Sequence, residues 1–599
     1  MSGKTLDINE LIGADRDKQA ASIANKYQEW ESFRNAWANQ KAELRNYLFA
    51  TDTTTTSNKA LPWKNSTTIP KLTQIRDNLH ANYMAALFPH DEWLKWEGDR
   101  SADETEKKRR SIESYMRTKL RQDKADVVVS QLLLDYIDYG NCFGTIEWAD
   151  DSITNSDGTQ RGYLGPRIVR ISPYDIVFNP VASSFEQSPK IVRSLHTLGE
   201  LKKKANKLNP KSDSAIMLNK AIDNSTTIRQ LVGGLSQGDT LKGEGFQMDG
   251  FSDIKHYFST DYVEVLTFYG DLYDMVTGVL YENHIIVVMD RSFIISRKPN
   301  PAWLSHPGIF HAGWRTRPDN LYAQGPLDNL VGMQYRIDHL ENLKADVFDM
   351  IAGPMIKIKG YVEDFEYGPF ERVYCGDEGE VEFLHPPHEV LDIDNQISEL
   401  ERRMEELAGA PKEAMGIRTP GEKTKFEVQK LDNAASRIFM NKIAYFEKVF
   451  FEPLLNYGLT VARQNMSASD VTRTLDSEID AVIFSTVTKD DLVANGILRP
   501  SGARHFAEKA NTLQSLIGIL NSPLGADPAI SVHLSGKKMA KMVEELADLD
   551  RYKLYGDNVR VFELQETQKL MAAAGEQTAV QSATPPGLTE GDPAFGPIS

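Results

Sequence analysis

The chain has 599 residues, 41% of them hydrophobic and 26% charged, which is enough apolar material for several cores and excludes a disordered body. Its net charge of -17 excludes a protein that grips nucleic acid by blanket phosphate neutralisation. Cys142 and Cys375 are the only cysteines, too few for a disulfide scaffold or a thiolate metal cluster, so folding is expected in a reducing, cytosolic compartment. A length prior suggests roughly three or four domains or subdomains. The N-terminus lacks the basic-then-apolar run of a secretory signal, and the longest apolar stretches, such as Ile285–Met289, fall far short of a membrane span. Neither secretion nor membrane insertion is expected.

In chain order, Asp15–Ala50 predicts a helix with an inward stripe of Ile23, Tyr27, Trp30, Phe33, Trp37 and Leu44. A Thr/Ser-rich loop follows over Thr51–Ser57. Ser66-Thr67-Thr68 with Pro70 reads as a helix start, and Leu72, Ile75, Leu79, Tyr83 and Leu87 continue its apolar face to Pro89. Trp93–Trp96 reads as a short strand, and helices are expected at Ala102–Arg121 and Ala125–Tyr139. From Asn141 to Pro318 the period switches to strands at Cys142–Trp148, Arg167–Ile171, Tyr262–Tyr269, Val279–Met289 and Ser292–Ser296, with a helix-rich insertion at Gly199–Gln230 and a Gly-rich loop at Leu231–Gly250.

The most informative stretch runs from Gly325 to Leu455. Pro326–Met350 predicts a helix with a stripe of Leu327, Leu330, Met333, Ile337, Leu340, Leu343, Val347 and Met350, ended by Gly353-Pro354. Asp392–Leu407 repeats the pattern with Ile397, Leu400, Met404 and Leu407. Two antiparallel amphipathic helices therefore bracket the segment Pro354–Leu391. Acid concentrates there: Tyr361–Ala410 holds fifteen Asp and Glu against three Arg. Ala408–Lys423 is a Gly/Pro loop carrying Lys412, Arg418 and Lys423, and Thr424 to Glu427 fits a capping box that opens a long helix, Lys425–Asn465. Phe426, Ile438, Phe439, Ile443, Phe446, Val449 and Phe450 should face inward on it, and Pro453 should kink or restart it. Ile479–Val487 reads as a strand, Asp491–Leu570 as largely helical, and the Pro/Gly-rich end, Gly575–Ser599, as disordered. The whole predicts an α+β chain, mostly helical, with no internal repeat.

Each sharp reading has a bland competitor. Lys412, Arg418 and Lys423 either touch DNA or solvate a loop, and Lys425 has Glu422 and Glu427 as nearby partners. Lys107-Lys108-Arg109-Arg110 sits among Glu104, Glu106 and Glu113, above a buried face of Ile112, Tyr115, Met116 and Leu120, so it reads as a solvated helix surface. His385 and His388, and the pair His306 and His311, read as ordinary residues. The acidic run Glu363, Asp364, Glu366, Glu371, Asp377, Glu378 and Glu380 lacks the order of a calcium loop and serves either solvation, subunit contact or a docking partner. No P-loop occurs: Gly536-Lys537 is followed by lysine and has Ser531 where the first glycine belongs. No metal or cofactor is expected.

Four stretches in this order resemble a known family, the portal or head-to-tail connector proteins of tailed bacteriophages, especially the short-tailed type. They are Leu61-Pro62-Trp63 to Leu87-Phe88-Pro89 with Trp93; Ile171-Ser172-Pro173-Tyr174-Asp175 to Asn179-Pro180; Gln324-Gly325-Pro326-Leu327-Asp328 running into His339-Leu340-Glu341-Asn342-Leu343; and Met404–Gly416 with Arg418 and Thr424–Leu431. The likeness spans roughly residues 60–460. It implies a homo-oligomeric ring of twelve copies around a channel for double-stranded DNA, built into one virion vertex and assembled in the host cytoplasm. Implied partners are a terminase packaging motor, a head-completion or tail-adaptor protein and the major capsid protein.

By this resemblance residues 1–140 and the β-rich 141–318 belong to a wing, 319–351 and 392–408 to stem helices, and 352–391 to a clip that docks partners through the acidic run. Residues 409–423 become a tunnel loop whose Lys412, Arg418 and Lys423, with Lys425 beside them, face DNA. Residues 424–490 become a long helix and wing return, 491–574 a crown, and 575–599 a disordered tail. The Gly-rich 231–250 loop and the tail match no part of the pattern. The competing readings are a packaging ATPase or nuclease and another ring or adaptor protein of a virion.

Overall fold

A computed structural model describes residues 16–61, 64–88, 93–100, 105–151, 153–154, 160–229, 262–273, 280–300, 307–353, 355–363, 373–376, 378–384, 393–409, 438–466, 469–476, 481–500 and 542. The fold is mixed α+β and rich in helix. Two compact units divide the chain, Met1–Thr474 with Phe484–His505, and Leu475–Ile483 with Phe506–Ser599. The first holds almost all the described residues.

The helix Arg16–Phe49 lies on a five-stranded antiparallel sheet because its apolar stripe matches the sheet's face. Ala20, Ile23, Ala24, Tyr27 and Trp30 pack on Val177, Ile191, Leu266, Phe268, Ile286, Val288 and Ile294. The sheet runs in the order Phe293–Pro299, Leu280–Met289, Tyr262–Tyr273, Lys190–Thr197, Ile176–Phe178. Phe33, expected inside, is 55% exposed. Its neighbour Arg34 is buried instead, donating to the carbonyls of Pro173 and Ile176 at 2.9 and 2.8 Å, so a charged side chain ties the helix to the Ser172–Asp175 turn. A second sheet, Ile309–Gly313, Asn141–Asp150 and Leu164–Ile171, is also antiparallel. Strands at 176–178, 190–197, 309–313 and 320–324 were not legible, being short or lacking alternation. The 199–230 insertion is two helices, Leu198–Lys207 and Asp213–Arg229.

The largest core gathers the remaining helices. The helix Lys71–Leu87 starts five residues later than Ser66-Thr67-Thr68 suggested, because those residues are spent elsewhere. They form an extended strip along the leading helix Val331–Ala352, whose polar residues at every fourth position hold it. Gln334 accepts from the Leu72 amide, and Asp338 from the Ile69 amide and the Thr68 hydroxyl at 3.0 Å each. Asn342 accepts from the Thr67 amide and donates to its carbonyl, both at 2.8 Å. Asp346 accepts from the Lys64 and Asn65 amides at 3.1 Å. Backbone groups that a partly buried loop turns toward the helix are thus satisfied by one helix face.

The returning helix, Asp394–Ala408, joins the same core through Ile397, Met404 and Ala408, whereas Leu407 points outward. Lys344 reaches Asp394 at 2.6 Å, bringing the late part of the leading helix to the start of the returning one, as antiparallel helices require. Buried Lys71 bonds Glu405 at 2.6 Å, so the same N-terminal strip also holds the returning helix.

Further on, Pro453 stands in the first turn of a renewed α-helix, the restart that its ring predicts. A single π-turn, Glu447–Phe451, precedes it, and the Glu452 amide donates to the Glu447 carbonyl five residues back before Glu452–Asn465 resumes as α-helix. A widened turn accommodates a residue with no amide hydrogen and a ring that crowds the preceding turn. Ile438, expected inward, is 48% exposed, while Ile443, Phe446 and Phe450 are buried.

The expected helix from Asp491 is corrected at its start. Lys489–Leu492 is one turn, and Gly496–Pro500 is a strand paired antiparallel with Leu94–Gly98. Local pattern loses to tertiary capture: Leu498 is buried with Leu94 and Trp96, and its amide and carbonyl are both bonded by Asn456. Apart from Met542, residues 501–570 lie outside the described residues, as do 231–250 and 575–599.

Replacing buried Asn342 by Ala removes both bonds to the backbone of exposed Thr67 and is expected to cost about 1–3 kcal/mol. Chemical denaturation would show a lower midpoint at unchanged slope, and a shift under about 0.5 kcal/mol would contradict the role given to the strip. Burial pushes the Asp338 carboxyl up from 3.8 to about 6, opposed by the bonds from Ile69, Thr68 and Gln334. The folded chain then holds a proton that the unfolded chain releases, so this contribution is present below about pH 4 and lost as pH rises through about 6. Asp338→Asn should therefore flatten the loss of stability from pH 4 to 6, and an unchanged slope would contradict it.

Candidate functional site

Between the leading and returning helices stands a β-hairpin, Met355–Lys359 paired antiparallel with Glu380–Leu384. The sequence carries its signal in Lys357-Ile358-Lys359 against Glu380-Val381-Glu382-Phe383, period-2 segments of opposite charge. The pairing places Ile356 opposite Phe383, Lys357 opposite Glu382, Ile358 opposite Val381 and Lys359 opposite Glu380. Directly opposed residues share a face, so the hairpin has two unlike faces.

One face is ionic. Lys357 meets Glu382 at 2.8 Å and Lys359 meets Glu380 at 3.9 Å, and all four side chains are more than half exposed. The carboxylate holds the Lys357 ammonium above its ordinary range. Such exposed pairs fix register more than they stabilise. The other face is apolar and open: Ile358 is 55% exposed and Phe383 42%, beside partly exposed Ile356 and Val381.

Beyond Lys359 the chain turns at Gly360, whose φ of +75° and approach to the Glu378 carbonyl leave no room for a side chain. A second, shorter pairing follows, with Val362 bridged to Cys375 and the Glu363 amide donating to the Tyr374 carbonyl at 3.1 Å. Tyr361 and Tyr374 are 77% and 63% exposed there.

A lone two-stranded hairpin is marginal in water, and leaving these apolar side chains hydrated forgoes about 25 cal/mol for each Å² that a partner would cover.

Of the acidic residues singled out from sequence, Glu363, Glu378 and Glu380 are exposed on this hairpin, and Glu380 is already paired with Lys359. Asp364, Glu366, Glu371 and Asp377 lie outside the described residues. So do Lys412, Arg418, Lys423 and Lys425, together with His306, His385 and His388. Sequence reasoning missed Ile358, Phe383 and the two lysines because it weighed this segment by charge alone.

The bland readings can be placed where residues are described. His311 packs, partly buried, against Phe143 and Phe185, is bonded to Asn141 at 3.0 Å and is pushed down to about 3 by desolvation and by Lys190. Lys107 is exposed and reaches Asp491 at 2.9 Å, an ion pair on a helix surface. Cys142 is buried and Cys375 exposed, and neither is in a disulfide. Among the described residues no group of three His, Cys, Asp or Glu side chains is placed to hold a metal, and no helix is long and apolar enough to cross a membrane. No protein-family model matches the chain, and no curated protein matches it.

Replacing Ile358 and Phe383 together by Glu should leave the helical circular-dichroism signal and unfolding temperature unchanged. If this face is an interface between copies, self-association in sedimentation velocity should weaken at least about tenfold, since each covered apolar side chain is worth about 1.5–3 kcal/mol. Unaltered association would show that the apolar face is not an interface.

Proposed function

We propose that this chain is a structural, non-enzymatic subunit of a portal-type ring that conducts double-stranded DNA through one vertex of a virus capsid. The observation that carries the reading is the hairpin exposed on both faces and carried between two antiparallel helices that are themselves fixed to the body. That is the organisation of a stem bearing a clip, and it agrees with the resemblance over residues 60–460.

In this reading Val331–Ala352 and Asp394–Ala408 line the stem. The hairpin covers its apolar face on a neighbouring copy and offers its acidic end to a terminase motor, then to a head-completion or tail-adaptor protein. The β-rich region meets the major capsid protein. Residues 409–423 form the loop that touches DNA through Lys412, Arg418 and Lys423. A conduit must let a polyanion slide, and acidic walls repel phosphate while a few cations at one constriction make contact. Screening acts over about 8 Å at physiological salt, so such walls matter only where the passage is narrow.

Replacing Lys412, Arg418 and Lys423 together by Ser tests the reading in infected or reconstituted particles. Assembly should proceed while packaged DNA per particle falls or leaks. Particles filled normally by the triple variant would overturn the assigned loop, and DNA-stimulated ATP hydrolysis by the purified wild-type chain would overturn the non-enzymatic assignment.

A further inference from the structure

The hairpin divides its charge by strand. Met355–Lys359 carries Lys357 and Lys359 and no acid, whereas Glu380–Leu384 carries Glu380 and Glu382 and no base. The pairing runs in register without a bulge, and among the described residues each strand pairs only with the other. Each strand therefore has one paired edge and one outer edge, and the two outer edges differ in sign.

A strand edge offers a row of backbone groups to any other strand, and charge along it ordinarily keeps other strands away. Here that protection is selective. Like charges directly opposite destabilise a strand pair and opposite charges stabilise it, so a second hairpin of the same composition is repelled at one approach and accepted at another. The ionic side chains have capacity for a second neighbour. All four are more than half exposed, and only Lys357 and Glu382, at 2.8 Å, are hydrogen-bonded, the Lys359–Glu380 pair standing at 3.9 Å. An ammonium donates about three bonds and a carboxylate accepts about four, so each group can serve a strand on either side.

Symmetry then selects the arrangement. Related by a twofold axis, two hairpins meet through the same edge, Lys strand on Lys strand or Glu strand on Glu strand. Related by rotation about an axis along the strands, the Glu strand of one copy meets the Lys strand of the next. That contact is antiparallel, as within the hairpin, and keeps the ionic faces on one side. Every Lys strand is then flanked by two Glu strands, and closure leaves no edge.

We propose that the hairpins of neighbouring copies join edge to edge in one continuous antiparallel sheet, Glu380–Leu384 of one copy against Met355–Lys359 of the next. In this register Lys357 of one copy stands beside Glu382 of the other and Lys359 beside Glu380. The proposal rests on the ring reading above and adds to it the contact that decides which sides of two subunits meet.

Mixing two full-length chains tests it. In the exchanged chain, Lys357→Glu, Lys359→Glu, Glu380→Lys and Glu382→Lys together, both pairs within the hairpin persist with reversed sign and the net charge is unchanged. Alone it should form the same rings as the wild type in negative stain. Coexpressed with the wild type under two affinity tags, it should enter mixed rings at least about tenfold less often than random assortment gives, because every mixed junction opposes like charges. A second measurement does without that variant. In a Cys375→Ser background, a Lys357→Cys chain mixed with a Glu382→Cys chain should give disulfide-linked dimers on mild oxidation. Neither chain should do so alone, since equivalent strands lie two strand spacings, about 9–10 Å, apart and beyond disulfide reach. Random mixing, or rings without the cross-chain disulfide, would overturn the edge pairing and leave the ring reading standing, whereas a wild-type chain that forms no rings would overturn both.

Discussion

The structure depends on the extended strip of residues 64–70 laid along the leading helix. An amide turned toward a packed helix without a partner costs about 1–3 kcal/mol. Gln334, Asp338, Asn342 and Asp346 remove that cost by presenting acceptors and donors at one-turn intervals, and Lys71 carries the same strip to Glu405 on the returning helix. Two helices that meet directly through apolar contact and the Lys344–Asp394 pair are thereby also tied to the N-terminal body. The hairpin inherits that rigidity. Its ionic face is closed by its own pairs, while Ile358 and Phe383 stay partly exposed.

Charge follows the same division. Buried charges are gripped in defined pairs, as Glu264 is by Arg193 and Arg291 at 2.6 Å each, with its carboxyl held below its ordinary range by those guanidiniums. Exposed charges crowd the returning helix, where Arg402 and Arg403 share Glu399 and Arg402 also reaches Glu406. There the pairs contribute little stability but set the sign of the surface.

Much of this was legible in the sequence where periodicity was long. The first helix, the helix pair around the hairpin and most strands between 141 and 299 lie within a few residues of where spacing put them. The failures have specific causes. Ser66-Thr67-Thr68 has the chemistry of a cap but is bonded by Asp338 and Asn342, a tertiary use that no local rule sees. Ile497 and Leu498 continue a helical pattern yet pair with Leu94–Gly98, because the core behind that strand accepts Leu498 and Asn456 satisfies its backbone. Of the candidate site, the hairpin's alternation of Lys-Ile-Lys with Glu-Val-Glu was present in the sequence and was masked by attention to net charge.

The central claim is that these subunits close on one another around a passage, using the hairpin face that the single chain leaves open. Electron microscopy of the purified chain in negative stain, over a range of salt, tests it most directly. Closed rings with a central channel, of uniform subunit number, are the predicted result. A stable monomer at every salt and protein concentration, with no rings, would contradict the account.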